Sequence, residues 1–445
     1  MVYTDPAFVF VFAVLLVAAA VLRRQPRAKA ALVAAFSALV IASWGVFDLC
    51  LFLAIITANY MAAGEMQRSG PGAARAWLAV AIVFDLGMLA AFKYPGVPGF
   101  AFGIPLAISF YVFHAISYLV DVHAGRVAHA PFGRYVFYMS FFPHVIAGPI
   151  VRAWQLAQQV ERRRPRAGRD MAMGFHFLVT GAFLKLFCAN NIAQGIDPFW
   201  QRGMPFVPTA ADHWAAAFLY YCQIYADFAG YSLMALGMAR LLGYRLPANF
   251  RTPMLAASLR DFWRRWHITL SRWLRDYLYI PLGGSHHGHG RAALAVMATM
   301  LLGGLWHGAA WGFVLWGAMH GAMLVLERAL GCHLPARSRV RLVGWWLLVQ
   351  AWVTLAWVVF RAGSLGDALL FVGNMAALDS WHVHAELAQR FVFALPVLAH
   401  QLAPWALRAL GRKRLAPALG LATGAMLVCV LVLDSPSSAF IYFRF

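Results

Sequence analysis

Two short stretches of this chain carry polar chemistry where the surrounding sequence has almost none. Residues 261–284 read DFWRRWHITLSRWLRDYLYIPLGG, dense in Arg and Trp. Residues 303–308 read GGLWHG, inside a long apolar run. Imidazoles and guanidiniums are expensive near a bilayer and are kept there mainly for function. His307 and His267 are therefore the first candidates for chemistry. An imidazole has the right basicity near neutral pH to take a proton from a hydroxyl. The small residues flanking His307 (Gly303, Gly304, Gly308, Ala309, Ala310) would let a substrate chain or another backbone approach. Trp306 beside it is a candidate substrate contact. Arg264, Arg265 and Arg275, with Asp261, surround His267 in sequence, and such guanidiniums could hold a phosphate or pantetheine-linked donor. Each residue also has a plainer reading. His307 could be a hydrogen-bonded helix contact, His267 could face headgroups, and the arginines could follow from membrane topology alone.

Other polar residues carry less. His286, His287 and His289 cluster in SHHGHG, but the run is Gly-rich and has no carboxylate partner, so no metal site is expected there. His114, His144 and His320 lie in or near apolar segments. Asp121 and Asp227 are helix-end residues or polar partners inside a cavity. The five Cys residues show no paired spacing, and neither a disulfide framework nor a metal site is expected of them.

These residues need elements to position them, and composition says which. The chain has 445 residues, 62% hydrophobic and 12% charged, with a mean hydropathy of +0.66. A soluble protein would carry about 25% charged residues. The apolar residues fall into runs of roughly 17–22, long enough to span the hydrocarbon core. The fold class expected is all-α: a polytopic transmembrane helical protein with about 11–13 membrane segments. Continuous rather than alternating apolarity disfavours a β-barrel. Candidate spans are 8–22, 29–46, 48–64, 76–93, 103–121, 172–195, 213–239, 291–306, 312–330, 342–360, 391–407 and 415–433. The first is read as a retained span, since it lacks a basic leader region and a clear cleavage site. No repeat or linker interrupts the chain, which is read as one membrane domain over 1–445.

The net charge of +20 would suggest nucleic acid in a soluble protein. Here the Lys and Arg residues crowd into short loops, as the positive-inside rule requires, and no nucleic acid is expected. The clusters are Arg23, Arg24, Arg27 and Lys29; Arg162, Arg163, Arg164, Arg166 and Arg169; Arg337, Arg339 and Arg341; and Arg412, Lys413 and Arg414. Alternating spans place them all in the cytoplasm and both termini outside, provided 135–150 enters and leaves on one face. Pro143, Gly148 and Pro149 suit such a re-entrant segment. Residues 259–280 read as an amphipathic helix at the cytoplasmic surface or tucked into a funnel. Phe262, Trp266, Thr269, Trp273 and Tyr277 recur on one face, with Arg264, Arg265, Arg272 and Arg275 on others.

The motifs, taken in order, resemble the membrane-bound O-acyltransferase family, within it the bacterial branch of alginate O-acetylation and teichoic-acid D-alanyl transfer proteins. The resemblance covers nearly the whole chain. It runs through IPLAISFYVFHAISYLVDV (104–122), FFPHVIAGPIVR (141–152), QIYADFAGYSLMALG (223–237) and YRLPANFRTP (244–253). It continues through the 261–284 run, LLGGLWHGAAWGFVLWGAMHG (301–321), WVVFRA (357–362) and FIYFRF (440–445). Two departures stand out. Ser232-Leu233-Met234 lacks the acidic residue usual after GY, and His144 replaces a Gln.

What the resemblance implies is acyl transfer from a cytoplasmic thioester, acetyl-CoA or an acyl carrier, with no bound cofactor. The acceptor would be a hydroxyl of an exported polysaccharide or of a periplasmic partner protein. The place implied is the inner membrane, in contact with its lipids, with a tunnel narrowing at the site. His307 matches the catalytic His and His267 the second motif residue. The base could act directly, or an acyl-His could form. No G-x-S-x-G motif points to a Ser nucleophile. D-alanyl transfer from a carrier protein is an alternative. A second alternative is a non-catalytic polysaccharide or lipid transporter, although the inverted-repeat pattern of such proteins is not visible.

Overall fold

The computed structural model describes residues 3–94, 104–105, 107–145, 148–161, 168–201, 204, 206–286, 288–331, 338–377, 381–409 and 411–432, with backbone only at 411–413 and 415. Four of the 162–169 arginines, His287, Cys332, Arg337 and the 440–445 motif lie outside the described residues. The side chains of Arg412 and Lys413 do so too.

The described chain is helical, without strands, and a helix falls on each predicted span. The first six are α1 (Pro6–Val21), α2 (Pro26–Ala42), α3 (Val46–Arg68), α4 (Pro71–Lys93), α5 (Ile108–His123) and α6 (Phe132–Ser140). Next come α7 (Gly168–Ala182), a π-helical stretch at Phe183–Ala189, α8 (Asn190–Gln201) and the long α9 (Ala210–Leu241). Then follow α10 (Leu259–Arg265), α11 (Ile268–Leu274), α12 (Gly288–His307), α13 (Trp311–Ala329) and α14 (Arg339–Arg361). The last are α15 (Leu365–Met375), α16 (Phe391–Ala409) and α17 (Gly411–Val432). Among the described residues, five helical stretches are long and apolar enough to cross a membrane: Pro6–Arg24, Val46–Arg68, Pro71–Lys93, Gly168–Gln201 and Arg339–Arg361. Two of the others carry prolines within the helix, Pro396 and Pro404 in α16 and Pro417 in α17.

The chain divides into two compact units, Met1–Leu178 with Ser232–Ala248, and Val179–Tyr231 with Asn249–Phe445. In the first, α1, α2 and the segment after α6 close over Phe8, Phe12, Phe36 and Phe142, whose rings meet at 5.1–6.3 Å. Within the predicted re-entrant segment, the helix breaks after Ser140, and residues 137–145 and 148–150 are buried. A short helix, Phe142–Val145, follows the break. His144 meets the Tyr138 carbonyl at 2.7 Å through Nε2, and His114 Nε2 accepts from the Val151 amide at 3.1 Å. Asp121 pairs with Arg126 at 3.1 Å.

In the second unit, the π-helical stretch faces α9. Lys185 Nζ lies 2.7 Å from Asp227 Oδ1, with both side chains almost fully buried. A lone charge here would be costly, so each ion is the other's condition for burial. The candidate chemical residues also belong to this second unit.

Candidate active site

The predicted single helix over 259–280 does not form. It breaks at Trp266–His267 into α10 and α11, and Arg275–Tyr279 continues as a π-helical turn. His267 has φ +39° and ψ +53°, a left-handed conformation that is costly for a non-Gly residue. Asn249 supplies the compensation. Its backbone carbonyl accepts the Ile268 amide at 2.9 Å. Its Oδ1 accepts the Thr269 amide at 3.3 Å and the Thr269 hydroxyl at 2.9 Å. Because Asn249 Oδ1 is an acceptor for these donors, the 3.1 Å contact from His267 Nδ1 is an N–H donated to it. In the neutral ring the lone pair then sits on Nε2. Phe228 packs against the same ring, centroid to centroid 4.7 Å and nearly perpendicular.

His307 ends α12 and is buried at 4% exposure. Aromatic rings set its plane: Trp306 at 4.8 Å, Phe360 at 5.1 Å and Trp316 at 5.2 Å, all steeply inclined. The glycines explain how the α12–α13 hairpin closes. A Cβ on Gly304 would stand 2.2 Å from the Phe313 carbonyl oxygen, and one on Gly317 would stand 2.3 Å from that of Met300. Of the two readings of this small-residue run, Gly304 takes the backbone contact.

Trp306 joins the two histidines. Its ring lies 4.8 Å from that of His307 and 6.4 Å from that of His267. The residues predicted from 261–284 separate. Arg264 and Arg275 line a cavity of about 820 Å³, together with Arg251, Arg260, Arg272 and Arg328. Arg265 and Asp261 are not among its lining residues. Arg265 Nε bonds Asp261 Oδ2 at 2.8 Å, and a terminal nitrogen of Arg265 reaches Thr252 Oγ1 at 3.1 Å. The Arg265 carbonyl accepts the Arg251 amide at 2.9 Å. That pair holds the start of the bend. His286 is exposed.

Sequence reasoning missed Asn249 and Glu327. Glu327, fully buried near the end of α13, accepts the Leu259 amide at 2.6 Å, the Arg260 amide at 3.1 Å and the Trp345 indole at 3.2 Å. Its carboxylate meets the first amides of α10, where negative charge is favoured. Nothing local marks either role, because each depends on a partner far along the chain.

A cation-lined cavity and two buried imidazoles sharing one indole suit the activation of a hydroxyl beside an anionic donor. The sequence profile of the membrane-bound O-acyltransferase family matches residues 33–360. The chain belongs to the membrane-bound O-acyltransferase family. A probable alginate O-acetylase of Azotobacter vinelandii is 36% identical over 401 residues, covering 86% of this chain and 79% of the relative. Peptidoglycan O-acetyltransferase of Helicobacter pylori is 32% identical over 381 residues, 76% of this chain and 72% of the relative. Teichoic acid D-alanyltransferase of Bacillus subtilis is 24% identical over 298 residues, 63% of this chain and 74% of the relative. This family member is thus an acyltransferase enzyme and a multi-pass membrane protein, with its greater similarity among these relatives to O-acetylating proteins.

Proposed function

We propose that the protein moves an acetyl group from a cytoplasmic thioester, acetyl-CoA or an acyl carrier, to a hydroxyl of an exported polysaccharide or of a periplasmic partner protein, in the cytoplasmic (inner) membrane. The whole chain, 1–445, is taken as one functional domain. The observation that carries the reading is the shared indole of Trp306, with His307 on one side and His267 on the other. The nearby cavity with six arginines supports an anionic donor, since guanidiniums pair with phosphate oxygens.

A thioester is already activated, so the enzyme must orient the hydroxyl and remove its proton. In this reading His307 takes that proton as the hydroxyl oxygen attacks the acyl carbon. The carbon–sulfur bond breaks, and the departing thiolate regains the proton. His267, with Nδ1–H committed to Asn249, presents its other nitrogen to donor or acceptor. Arg264 and Arg275 hold the donor's phosphates, and Trp306 forms the wall between the two histidines.

The test is acetyl incorporation into exported polysaccharide, compared between cells carrying the wild type and His307→Ala, with membrane protein level measured in parallel. The expected result is loss of acetyl ester at normal protein level. Full acetylation by the variant would remove His307 from the chemistry. D-alanyl ester in place of acetyl would replace the acyl group while keeping the site.

A further inference from the structure

Phe360, one of the rings around His307, is followed at once by Arg361, the last residue of α14. The end of α14 is docked on the turn that carries His307. A Cβ on Gly312, just past that turn, would stand 3.1 Å from the Val359 carbonyl oxygen. Phe360 meets the His307 ring at 5.1 Å, Phe313 at 5.0 Å and Trp316 at 5.4 Å, each steeply inclined. Close packing of this kind transmits a shift from one element to the next. Where the end of α14 sits therefore decides where the His307 ring sits.

What holds that end is an ion pair. Arg361 reaches from α14 to α8, where its terminal nitrogen lies 2.8 Å from Asp197 Oδ1. The side chains are only 16% and 22% exposed, so solvent ions screen the attraction little. The guanidinium also stands 5.9 Å from the ring of Trp200 on α8 and 5.8 Å from that of Tyr220 on α9. Trp200 stacks in turn on Phe371 of α15 at 4.4 Å, the rings nearly parallel. A cation at a helix C-terminus is favourable by itself. That effect needs neither a carboxylate nor aromatic faces on other helices, and Arg361 has both.

We propose that the Arg361–Asp197 pair is a latch that holds Phe360 against His307 and so sets the imidazole for acyl transfer. This rests on the reading of His307 as the base. Arg361 and Asp197 are positioning residues, acting through Phe360. Neither lines the arginine cavity, so the latch bears on the imidazole rather than on the place for the donor's phosphates.

The experiment has two readouts. The first is the rate at which diethyl pyrocarbonate modifies His307 and His267 in the full-length protein in lipid nanodiscs, resolved by peptide mass spectrometry. The second is acetyl incorporation in cells, per unit of membrane protein. Arg361→Ala should speed modification of His307 several-fold and leave His267 at the wild-type rate. It should lower acetyl incorporation by up to about 10²-fold, the cost of a 1 Å misplacement. Phe360→Leu should do the same, and the two changes together should do no more than either, because both act through one contact. Additive effects would overturn the route through Phe360. An unchanged His307 rate in Arg361→Ala would overturn the latch and leave the base reading intact. Faster modification of both histidines would reduce the pair to general stability and overturn it too. Faster modification of His307 with full acetylation would overturn both the latch's role and the base reading. If Arg361→Ala does not accumulate, the double variant Asp197→Asn, Arg361→Gln, which leaves no lone buried charge, decides by the same labelling.

Discussion

The two candidate histidines are held by different physics. His307 sits at a hairpin end where ring edges and glycine-mediated backbone contact fix its plane. His267 sits at a broken helix where a carbonyl oxygen 18 positions upstream fixes its tautomer. Ring edges pack around the His307 imidazole, whereas at His267 a carbonyl acceptor commits one N–H. A proton-transfer residue must change protonation in each cycle, which is the role proposed for His307. The surroundings of His267 suit a fixed hydrogen-bonding role. The comparison teaches that two residues of one type, on either side of one indole, need not share one task.

The widest separation should come from replacing the two residues in turn. His307→Ala is expected to lower transfer by about 10²–10⁴-fold, the usual worth of a general base. His267→Ala should cost less, because a hydrogen-bonding role is worth less than the base. Equal losses, measured as acetyl incorporation per unit of membrane protein, would erase the distinction. Next, Gly304→Ala should force the hairpin apart, since its new methyl would sit on the Phe313 carbonyl. The expected cost is about 1–3 kcal/mol of stability. It should be read as a lower melting point in detergent together with reduced transfer. An unchanged melting point would mean that the hairpin does not govern His307.

Asn249→Ala sharpens the other half. Releasing His267 Nδ1 and the Thr269 donors should lower transfer about tenfold through the lost hydrogen bonds. If Asn249→Ala matched wild type, the tautomer would be irrelevant. Smaller still, Arg264→Ala should raise the donor KM several-fold and spare kcat, the pattern of lost uniform binding. Arg265→Ala should instead lower kcat, because Arg265 bonds Asp261 and Thr252 rather than lining the cavity. A pure KM effect at Arg265 would return it to donor binding. His286→Ala, on an exposed loop, should change neither constant measurably.

Much of this was legible in the chain because apolar run length is a local property. Each predicted span has its helix, and the polar stretches in the apolar sequence pointed to His267 and His307. The break inside 259–280 was not legible. The three- and four-residue spacing of Phe262, Trp266, Thr269, Trp273 and Tyr277 fits a continuous helix, and only the bonds from Asn249 make the bend affordable. Glu327 was hidden for a similar reason. A carboxylate near the end of a span looks like a headgroup-facing residue until the amides of Leu259 and Arg260 arrive. His320 reads in sequence only as a His in an apolar segment, yet Trp316 touches both its ring and that of His307.

The buried pair of Lys185 and Asp227 has a consequence for biogenesis. Neither charge can be left alone in lipid while the other is still being synthesised, so the hairpin from α7 to α9 should leave the translocation machinery as one parcel. The hypothesis predicts that Asp227→Leu traps the helical segment carrying Lys185 at the insertion site, with an accessible Cys introduced near its end reacting with water-soluble maleimide for longer. Adding Lys185→Met should restore normal release. Prompt release of the single variant would mean that Lys185 finds shelter without its partner. On this view the pair acts as a timing mark in assembly, telling the membrane which two helices must enter together.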